Sequence, residues 1–300
     1  MRTILCLGLA ALACAAGLVA AAESDVPALT QPLKAPCRAL VFAAEGGGGW
    51  ILRFGRDGAI QWAYPAPMSR DVWLLPGGNV LFAYNEQYKS SAHDNPSGVM
   101  EVTPDKKVVF QFKTTGQVWS CQRLPDGNTL VGAASQGKVL VVSPQGKVVR
   151  EFKVKNAAGH SCMRHVRGLP SGNVLVAEES ASAVREYDGQ GRLVHDWPVP
   201  FTPFSMVRLA GGNTLVCGRT RMAELDADGK AAWSLDAKDY PDLGIRWFAG
   251  LQVLNNGHIF VCNAGGKVAF VEFSRDGKVV WKSNDEPIGL PIGHGICVQE

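Results

Sequence analysis

The chain has 300 residues, 46% of them hydrophobic, and its 30 Lys and Arg against 27 Asp and Glu give a formal net charge of +3. Basic residues are scattered, with no cluster beyond Lys106–Lys107, so we expect no nucleic-acid partner. Past the N-terminal segment no apolar run is long enough to cross a bilayer, and we expect no membrane span. This size suits one large all-β domain, for which we expect a monomer.

The N-terminus has the pattern of a cleavable secretory signal. Arg2 supplies the positive charge, residues 4–19 form an apolar run, and three alanines precede the first acidic residue. These features predict a signal peptide over residues 1–22 and a periplasmic or secreted protein. Residues 23–36 contain three prolines and are expected to be an extended lead-in, and residues 37–300 a single domain.

A short sequence motif occurs five times along the chain. It consists of Leu, a turn that contains Gly, then Asn or His, and then apolar residues. Its turn glycines lie 49, 45, 40 and 45 residues apart, a period typical of propeller blades. The turn Asn is expected to be structural, adopting positive φ or bonding its own backbone. The phrases are Leu75–Leu81, Leu124–Leu130, Leu169–Leu175, Leu209–Leu215 and Leu254–Phe260.

A second phrase, a tight turn between two apolar runs, alternates with the first and occurs six times. Gly in such a turn supplies the positive φ that short hairpins require. Each unit is therefore expected to have four antiparallel strands, A to D, in a radial stack of sheets. The turns are Asp57-Gly58, Asp105-Lys106, Gln145-Gly146, Gln190-Gly191, Asp228-Gly229 and Asp276-Gly277.

The first hairpin has no strand A of its own, and the C-terminus has a strand A with no hairpin after it. Residues 39–42 have the pattern of strand B, and residues 294–298 have that of strand A. We therefore predict an all-β, six-bladed β-propeller whose first blade is closed by N- and C-terminal strands. Such closure removes open sheet edges. A five-bladed ring with a loose tail is the alternative.

Six cysteines follow the predicted signal peptide, in a compartment that permits disulfides. No Cys-x-x-Cys pair is present, so the pattern supports neither a zinc knuckle nor a redox motif. Cys121 and Cys297 fall in strand A patterns, where a small buried apolar residue is expected. Cys217 and Cys262 occupy equivalent places in neighbouring blades. No disulfide pair, metal site or cofactor can be assigned from these residues.

The predicted loops differ between the two faces of the propeller. The A–B and C–D turns are short and uniform and share one face, the turn face. The B–C and D–A connections share the opposite face, the loop face, and vary in length, which is typical of functional loops on a rigid scaffold. The alternative is neutral variation in loop length, because lengthening a loop costs little conformational entropy. The long connections are residues 45–49, 85–98, 178–180, 236–246 and 284–293.

Strand A entrances on the loop face bring His, Arg and Asp together from distant parts of the chain. Four residues before each turn leucine the channel positions are Asp71, Ser120, His165, Ser205 and Gly250, with His294 expected to complete the set. The candidate catalytic residues are His165, His294 and Arg164. The candidate ligand-binding residues are Asp71, Arg70, His160, Trp119 and Trp247.

These side chains could bind an anion, hold a metal or perform acid–base chemistry. The alternative is that they only line the water-filled channel of a propeller. If a protonated histidine helps to hold an anion, binding should weaken as pH rises through the histidine pKa, nominally about 6.5.

The hairpins Asp276–Trp281 and Asp228–Trp233 resemble the Gly-Lys-x-x-Trp repeat of PQQ-like propellers, a group that includes quinoprotein dehydrogenases. Residues 69–79 and 99–102 are also similar to the repeats of arylsulfotransferase-type propellers. That resemblance implies a periplasmic six-bladed propeller that passes sulfuryl groups through a channel histidine. His165, His294, His160 and Arg164 are the residues that could take those roles. The repeats span nearly the whole mature chain but form blades, not sites.

Two functions follow from this pattern. The first is a secreted or periplasmic binding propeller that recognises a small molecule or a protein partner on its loop face. The alternative is an enzyme with chemistry at the channel mouth, such as sulfuryl transfer. An enzyme requires its His and Arg side chains to approach one point. A protein-binding face requires exposed aromatic residues, for which the candidates are Trp119, Phe204, Tyr240, Trp247 and Phe248.

Overall fold

The computed structural model describes residues 25–46, 48–86 and 94–300, and the predicted signal peptide lies outside them. Twenty-four strands in this part of the chain form six sheets of four antiparallel strands each, which confirms the six-bladed propeller. Helix is limited there to short 3₁₀ turns such as Ala134–Gln136. Among the described residues, no helix has the length and apolar character that a bilayer crossing requires.

Each blade runs from an inner strand at the channel to an outer edge strand. Blade 1 contains β24 (Gly293–Val298), β1 (Leu40–Ala44), β2 (Trp50–Phe54) and β3 (Ile60–Pro65). Blade 2 contains β4 (Val72–Leu74), β5 (Val80–Asn85), β6 (Pro96–Val102) and β7 (Val108–Thr115). Blade 3 contains β8 (Val118–Arg123), β9 (Thr129–Ala133), β10 (Lys138–Val142) and β11 (Val148–Lys153).

The remaining three blades follow the same order. Blade 4 contains β12 (Val166–Gly168), β13 (Val174–Glu178), β14 (Ala183–Tyr187) and β15 (Leu193–Pro198). Blade 5 contains β16 (Pro203–Arg208), β17 (Thr214–Gly218), β18 (Arg221–Leu225) and β19 (Ala231–Asp236). Blade 6 contains β20 (Phe248–Val253), β21 (Ile259–Asn263), β22 (Phe270–Phe273) and β23 (Val279–Lys282).

The two ends of the chain share blade 1. The C-terminal β24 pairs with β1 in antiparallel register, with Leu40 opposite Val298 and Ala43 opposite Gly295. This pairing confirms the predicted closure and excludes the five-bladed ring. The lead-in runs over the seam between blades 1 and 6, where Lys34 donates its backbone N–H to the Ser283 carbonyl at 2.8 Å.

The hydrophobic core lies between blades, because neither face of a four-stranded sheet is stable in water by itself. At the closing seam, Phe42 of blade 1 packs edge-on against Phe270 of blade 6, with centroids 5.1 Å apart. Phe260 stacks on Phe270 at 6.1 Å, and all three side chains are buried. The inter-blade contacts hold the inner strands at fixed positions around the channel.

Three of the four turn Asn residues make a different interaction from the one expected. Positive φ falls on the glycine before the Asn, and the amides of Asn79, Asn173 and Asn213 reach a Glu on strand C. In blade 4, Asn173 donates to Glu186 at 2.7 Å, and Glu186 pairs with Arg208 of blade 5 at 2.5 Å. Similar triads occur at Asn79–Glu101–Arg123, Asn213–Glu224–Arg275 and His258–Glu272–Arg38.

These triads predict different costs for two similar substitutions. Replacing Asn173 by Ala removes a hydrogen bond to a charged carboxylate and should lower the free energy of unfolding by about 2 kcal/mol. The Asn128 side chain donates only to the exposed Asp126, at 2.8 Å, so Asn128→Ala should cost less than about 1 kcal/mol. Denaturant unfolding of the two variants measures the difference. Equal losses would show that the Glu contact contributes nothing.

Candidate functional site

Four of the six inner strands are bulged where they reach the loop face. In three blades one extra residue separates the paired positions of the inner strand: Trp119 in β8, Phe204 in β16 and Ala249 in β20. A bulge lets two consecutive side chains face the same way, and bulges are common beside functional sites. The bulged residue and the residue after it therefore both face the channel, and they form two successive layers of side chains along its axis.

The pairing of β24 corrects the expected position of His294. Ala43 pairs with Gly295 and Ala44 with Gly293, so His294 is the extra residue of this strand. Gly295, not His294, is equivalent to the channel positions in the other blades. His294 instead completes the mouth layer, the outermost layer of channel residues, which consists of Arg70, Trp119, Arg164, Phe204, Ala249 and His294.

The middle layer lies directly beneath the mouth layer and closes the channel with polar contacts. It consists of Asp71, Ser120, His165, Ser205, Gly250 and Gly295, and its four polar members are buried. Arg167, from the strand segment below, holds the Asp71 carboxylate with two hydrogen bonds of 2.8 and 3.0 Å. Ser120 donates to the same carboxylate at 2.6 Å. These contacts account for the burial of Asp71 without a ligand.

His165 belongs to this polar layer as well as to the cavity above it. Its Nδ1 lies 3.0 Å from Arg167 Nη2 and 2.9 Å from the Ser205 hydroxyl. Because Arg167 can only donate, Nδ1 accepts, and the ring proton is on Nε2. That nitrogen lies 3.5 Å from the Arg70 carbonyl and 4.0 Å from Asp71. His165 is thus fixed in one tautomer by its neighbours.

The mouth layer and His165 together line one small cavity of about 10 Å³ at the loop-face end of the channel. Such a volume holds a single water-sized group. Trp119 forms one wall, and the guanidinium carbons of Arg70 and Arg164 lie 4.1 and 5.7 Å from its ring centroid. The structure therefore brings His165, His294, Arg164, Arg70 and Trp119 to one point.

Two carboxylates that were not among the predicted site residues complete the cluster. Glu45 pairs with Arg70 and lies 3.3 Å from His294 Nδ1. Glu179 pairs with Arg164 Nε at 2.5 Å. Each is the first residue after strand B, in blades 1 and 4, and each lies in a variable loop of the loop face. Their place directly after a buried strand was the available signal.

The other predicted residues lie beside the cavity. His160 Nε2 is 3.3 Å from Arg164 Nη2, and the Trp119 indole donates to the His160 carbonyl at 3.1 Å. The Trp247 ring lies 5.9 Å from His294 and 5.7 Å from Phe204. Asp71 lies below, bonded to protein partners. The structure thus places His160 and Trp247 in a surrounding shell.

The histidines of this cluster are neutral at neutral pH. Burial lowers the pKa of His165 to about 4, although Asp71 opposes the shift. Burial, followed by the charges of Arg164 and Arg70, lowers the pKa of His160 to about 4. Burial also lowers the pKa of His294, against the effect of Glu45. A binding transition near pH 6.5 is therefore no longer expected.

The two arginines carry the positive charge of the site. Burial, followed by repulsion from Arg70, lowers the pKa of Arg164 to about 10, so the guanidinium stays charged at neutral pH. Its side chain is 9% exposed, and Nη1 makes no hydrogen bond within the described part of the chain. Burial raises the pKa of Glu45, but His294 and Arg70 outweigh it and hold that pKa at about 2.

The aromatic residues proposed for a protein-binding face are mostly inside. Trp119, Phe204 and Phe248 are buried, and Trp247 and Tyr240 are partly buried. The six described cysteines are free thiols, five of them buried. In the described ranges no three His, Cys, Asp or Glu side chains are grouped as a metal site would require. On the loop face, the charged and titratable side chains are grouped at the channel mouth, around Arg70, Arg164 and His294.

Comparison with known proteins identifies the fold. No protein-family model and no curated protein matches the chain. A protein of unknown function from Bacteroides caccae is 26% identical, with a TM-score of 0.73 over 90% of this chain and 100% of its own. Virginiamycin B lyase from Staphylococcus aureus, solved with quinupristin as a catalytically inactive histidine-to-alanine variant, is 12% identical to this chain. Its TM-score is 0.57, and the match covers 84% of this chain and 86% of the lyase chain.

A structure of the nidogen/laminin complex is also similar, at 11% identity and a TM-score of 0.60, covering 87% of this chain and 97% of that chain. These neighbours include an enzyme and an assembly between proteins. Because a propeller supports unrelated functions, the likeness shows the fold and leaves function to the site.

Proposed function

We propose that this protein is a secreted or periplasmic propeller that binds an anionic group of a small molecule at the loop-face mouth of its channel. The observation that carries this proposal is the buried Arg164 guanidinium, with an unbonded Nη1, beside Arg70 in one cavity. Burial and like charge both disfavour the Arg164 cation. An anion at this point relieves both effects through charge-assisted hydrogen bonds.

The size of the cavity limits how such a ligand binds. A volume of about 10 Å³ admits one oxygen atom and excludes a whole sulfate, phosphate or sugar. The ligand therefore places one terminal oxygen between the arginines, and its remaining part lies among the variable loops. Partly exposed Trp247, next to Arg219 and Arg246 at 5.8 and 5.4 Å, offers an apolar surface for that part.

Binding can be tested with nitrophenyl sulfate and with phosphate and carboxylate esters of similar size. We expect at least one to raise the melting temperature of the wild-type protein by mass action. Arg164→Gln should abolish that increase, because it removes the buried cation. The matched control Arg192→Gln removes an exposed arginine at a hairpin turn away from the site and should retain the increase. Equal responses from Arg164→Gln and the wild type, or a preference for neutral sugars, would contradict the proposal.

Chemistry at the same site is the second candidate, favoured by the contact between Glu45 and His294. A carboxylate oxygen 3.3 Å from Nδ1 favours the tautomer with its proton on Nδ1, which leaves the lone pair on Nε2, the arrangement of a histidine base or nucleophile. The resemblance to arylsulfotransferase repeats suggests sulfuryl transfer. Nε2 of His294 would form a bond to sulfur as the bond from sulfur to the aryl oxygen breaks, which releases a phenolate. An acceptor hydroxyl would then attack the sulfur, the bond from nitrogen to sulfur would break, and the hydroxyl proton would pass to the released phenolate. One sulfuryl oxygen would enter the cavity between Arg70 and Arg164, whose charges would stabilise it, while the sulfur stays at the cavity mouth.

Turnover separates the two candidates. Incubation with nitrophenyl sulfate and a phenol acceptor should release nitrophenol if the site is catalytic, and His294→Gln should abolish release while retaining ligand-dependent stabilisation. His165→Gln should reduce turnover less, because His165 is engaged with Arg167 and Ser205. If the ligand raises the melting temperature of the wild type but no nitrophenol is released, the catalytic candidate is rejected and the binding function is retained.

A further inference from the structure

The other end of the channel, on the turn face, has a different character from the mouth. It opens into a cavity of about 520 Å³ to which all six blades contribute. Its floor is the lower layer of channel residues, two positions beyond the middle layer in each inner strand. That layer consists of Trp73, Gln122, Arg167, Val207, Gln252 and Cys297. The volume lies within the range of small-molecule sites.

The walls of this turn-face bowl are apolar, and its charges have one sign. Arg167 and Arg208 line it, and no Asp or Glu is among its lining residues. Their carboxylate partners lie behind the surface: Asp71 in the middle layer and Glu186 on strand C of blade 4. Arg208 Nε is buried and makes no hydrogen bond to the described residues. A ligand in the bowl therefore meets the guanidinium side of these ion pairs and aliphatic side chains, but no carboxylate.

The floor is held in place before any ligand arrives. The Arg167 guanidinium lies 4.9 Å from the Trp73 ring centroid, and the Trp73 indole donates to the Cys121 carbonyl at 2.6 Å. Gln122 accepts from the Gly168 backbone at 2.8 Å, and Gln252 accepts from Val298 at the same distance. Fixed side chains lose little conformational entropy on binding. The bowl thus resembles a formed pocket.

We infer that the turn-face bowl binds an amphipathic organic anion, with an aromatic or branched apolar body and one carboxylate or sulfonate. The acid group pairs with Arg208 on the wall, the charge of Arg167 on the floor adds attraction at longer range, and the apolar body contacts Val207, Leu251 and Ile296. The polar middle layer separates this site from the mouth. The inference is therefore independent of the function proposed for the loop face.

Anilinonaphthalene sulfonate, an aromatic sulfonate that fluoresces when it is bound, is the probe. We expect saturable binding at one site of the folded protein, and weaker binding of the neutral N-phenylnaphthylamine. Val207→Glu adds a negative charge to the bowl and should weaken sulfonate binding roughly tenfold or more. Val207→Gln has similar size and polarity without the charge and should change affinity by much less.

Circular dichroism establishes that each variant is folded, and Leu251→Glu replaces Val207→Glu if that variant does not fold. The inference would be overturned by any of three results. These are equal loss of sulfonate affinity in the Glu and Gln variants, equal affinity for the sulfonate and the neutral probe, or binding that does not saturate. Each of these outcomes would assign the fluorescence to general apolar surface instead of a cationic site.

Discussion

Removal of Gly293–Glu300 is expected to unfold the protein at temperatures at which the full chain is stable. These residues contain β24, the inner strand of blade 1, which pairs with β1 along its whole length. Without it, β1 becomes an open inner edge, and buried Leu40 and Phe42 lose a covering strand. Lost pairing and lost apolar burial together cost roughly 5 kcal/mol or more, comparable to the whole stability of a typical domain.

Thermal unfolding followed by circular dichroism measures this loss. The matched control removes only Gln299 and Glu300, which lie beyond β24, and should lower the melting temperature by a few degrees at most. Val298→Asp keeps the chain length but places a charge at a buried position opposite Leu40, and it should resemble the long deletion. An unchanged melting temperature in the long deletion would refute closure of the ring by β24.

The architecture could be predicted because it depends on repeated local signals. Each Leu-x-x-Gly-Asn turn and each Asp-Gly hairpin specifies two strands by its own backbone chemistry, and the spacing counts the blades. Closure followed from one unmatched hairpin and one unmatched strand. The same logic placed Arg70, Arg164 and His165 at the channel, because alignment to the turn leucine fixes their depth. These predictions required no knowledge of side-chain contacts.

The predictions that failed concern features that depend on tertiary contacts. His294 was assigned one layer too deep, because the bulge of β24 is invisible without its partner strand. Glu45 and Glu179 were overlooked as site residues, because a loop residue has no periodicity to fix its direction. Each turn Asn was predicted to have a local role, whereas three of the four bond a Glu on strand C. A sequence pattern gives position along a strand but not the partner across it.

Acid should destabilise the protein from about pH 6.5 downward, well above the usual range of carboxylate protonation. Burial holds the pKa of His165 at about 4 in the folded protein, whereas an unfolded histidine titrates near 6.5. Between these values the unfolded chain binds the additional proton, so stability is present above pH 6.5 and is lost as pH falls toward 4. One such histidine contributes roughly 3 kcal/mol to this loss.

The carboxylates of the cluster act in the same direction at lower pH. Glu45 has a folded pKa of about 2, set by His294 and Arg70 against its burial, so its contribution is lost as pH falls from about 4.5 toward 2. Burial raises the pKa of Asp71, but Arg167 and His165 lower that pKa further, so its contribution to stability is present above the unfolded pKa and is lost as pH falls through the folded pKa. The histidine effect is therefore separable, because it comes first as pH falls.

Comparison of unfolding free energies at pH 7 and pH 4.5 isolates this histidine effect. His165→Gln keeps a group that can accept from Arg167 but takes up no proton, so its stability should fall less over this interval than that of the wild type. The difference should be roughly 2–3 kcal/mol, whatever the cost of the substitution at pH 7. His195→Gln alters an exposed histidine and should follow the wild-type profile. If His165→Gln and His195→Gln lost equal stability, the buried neutral histidine would not be the source of acid sensitivity.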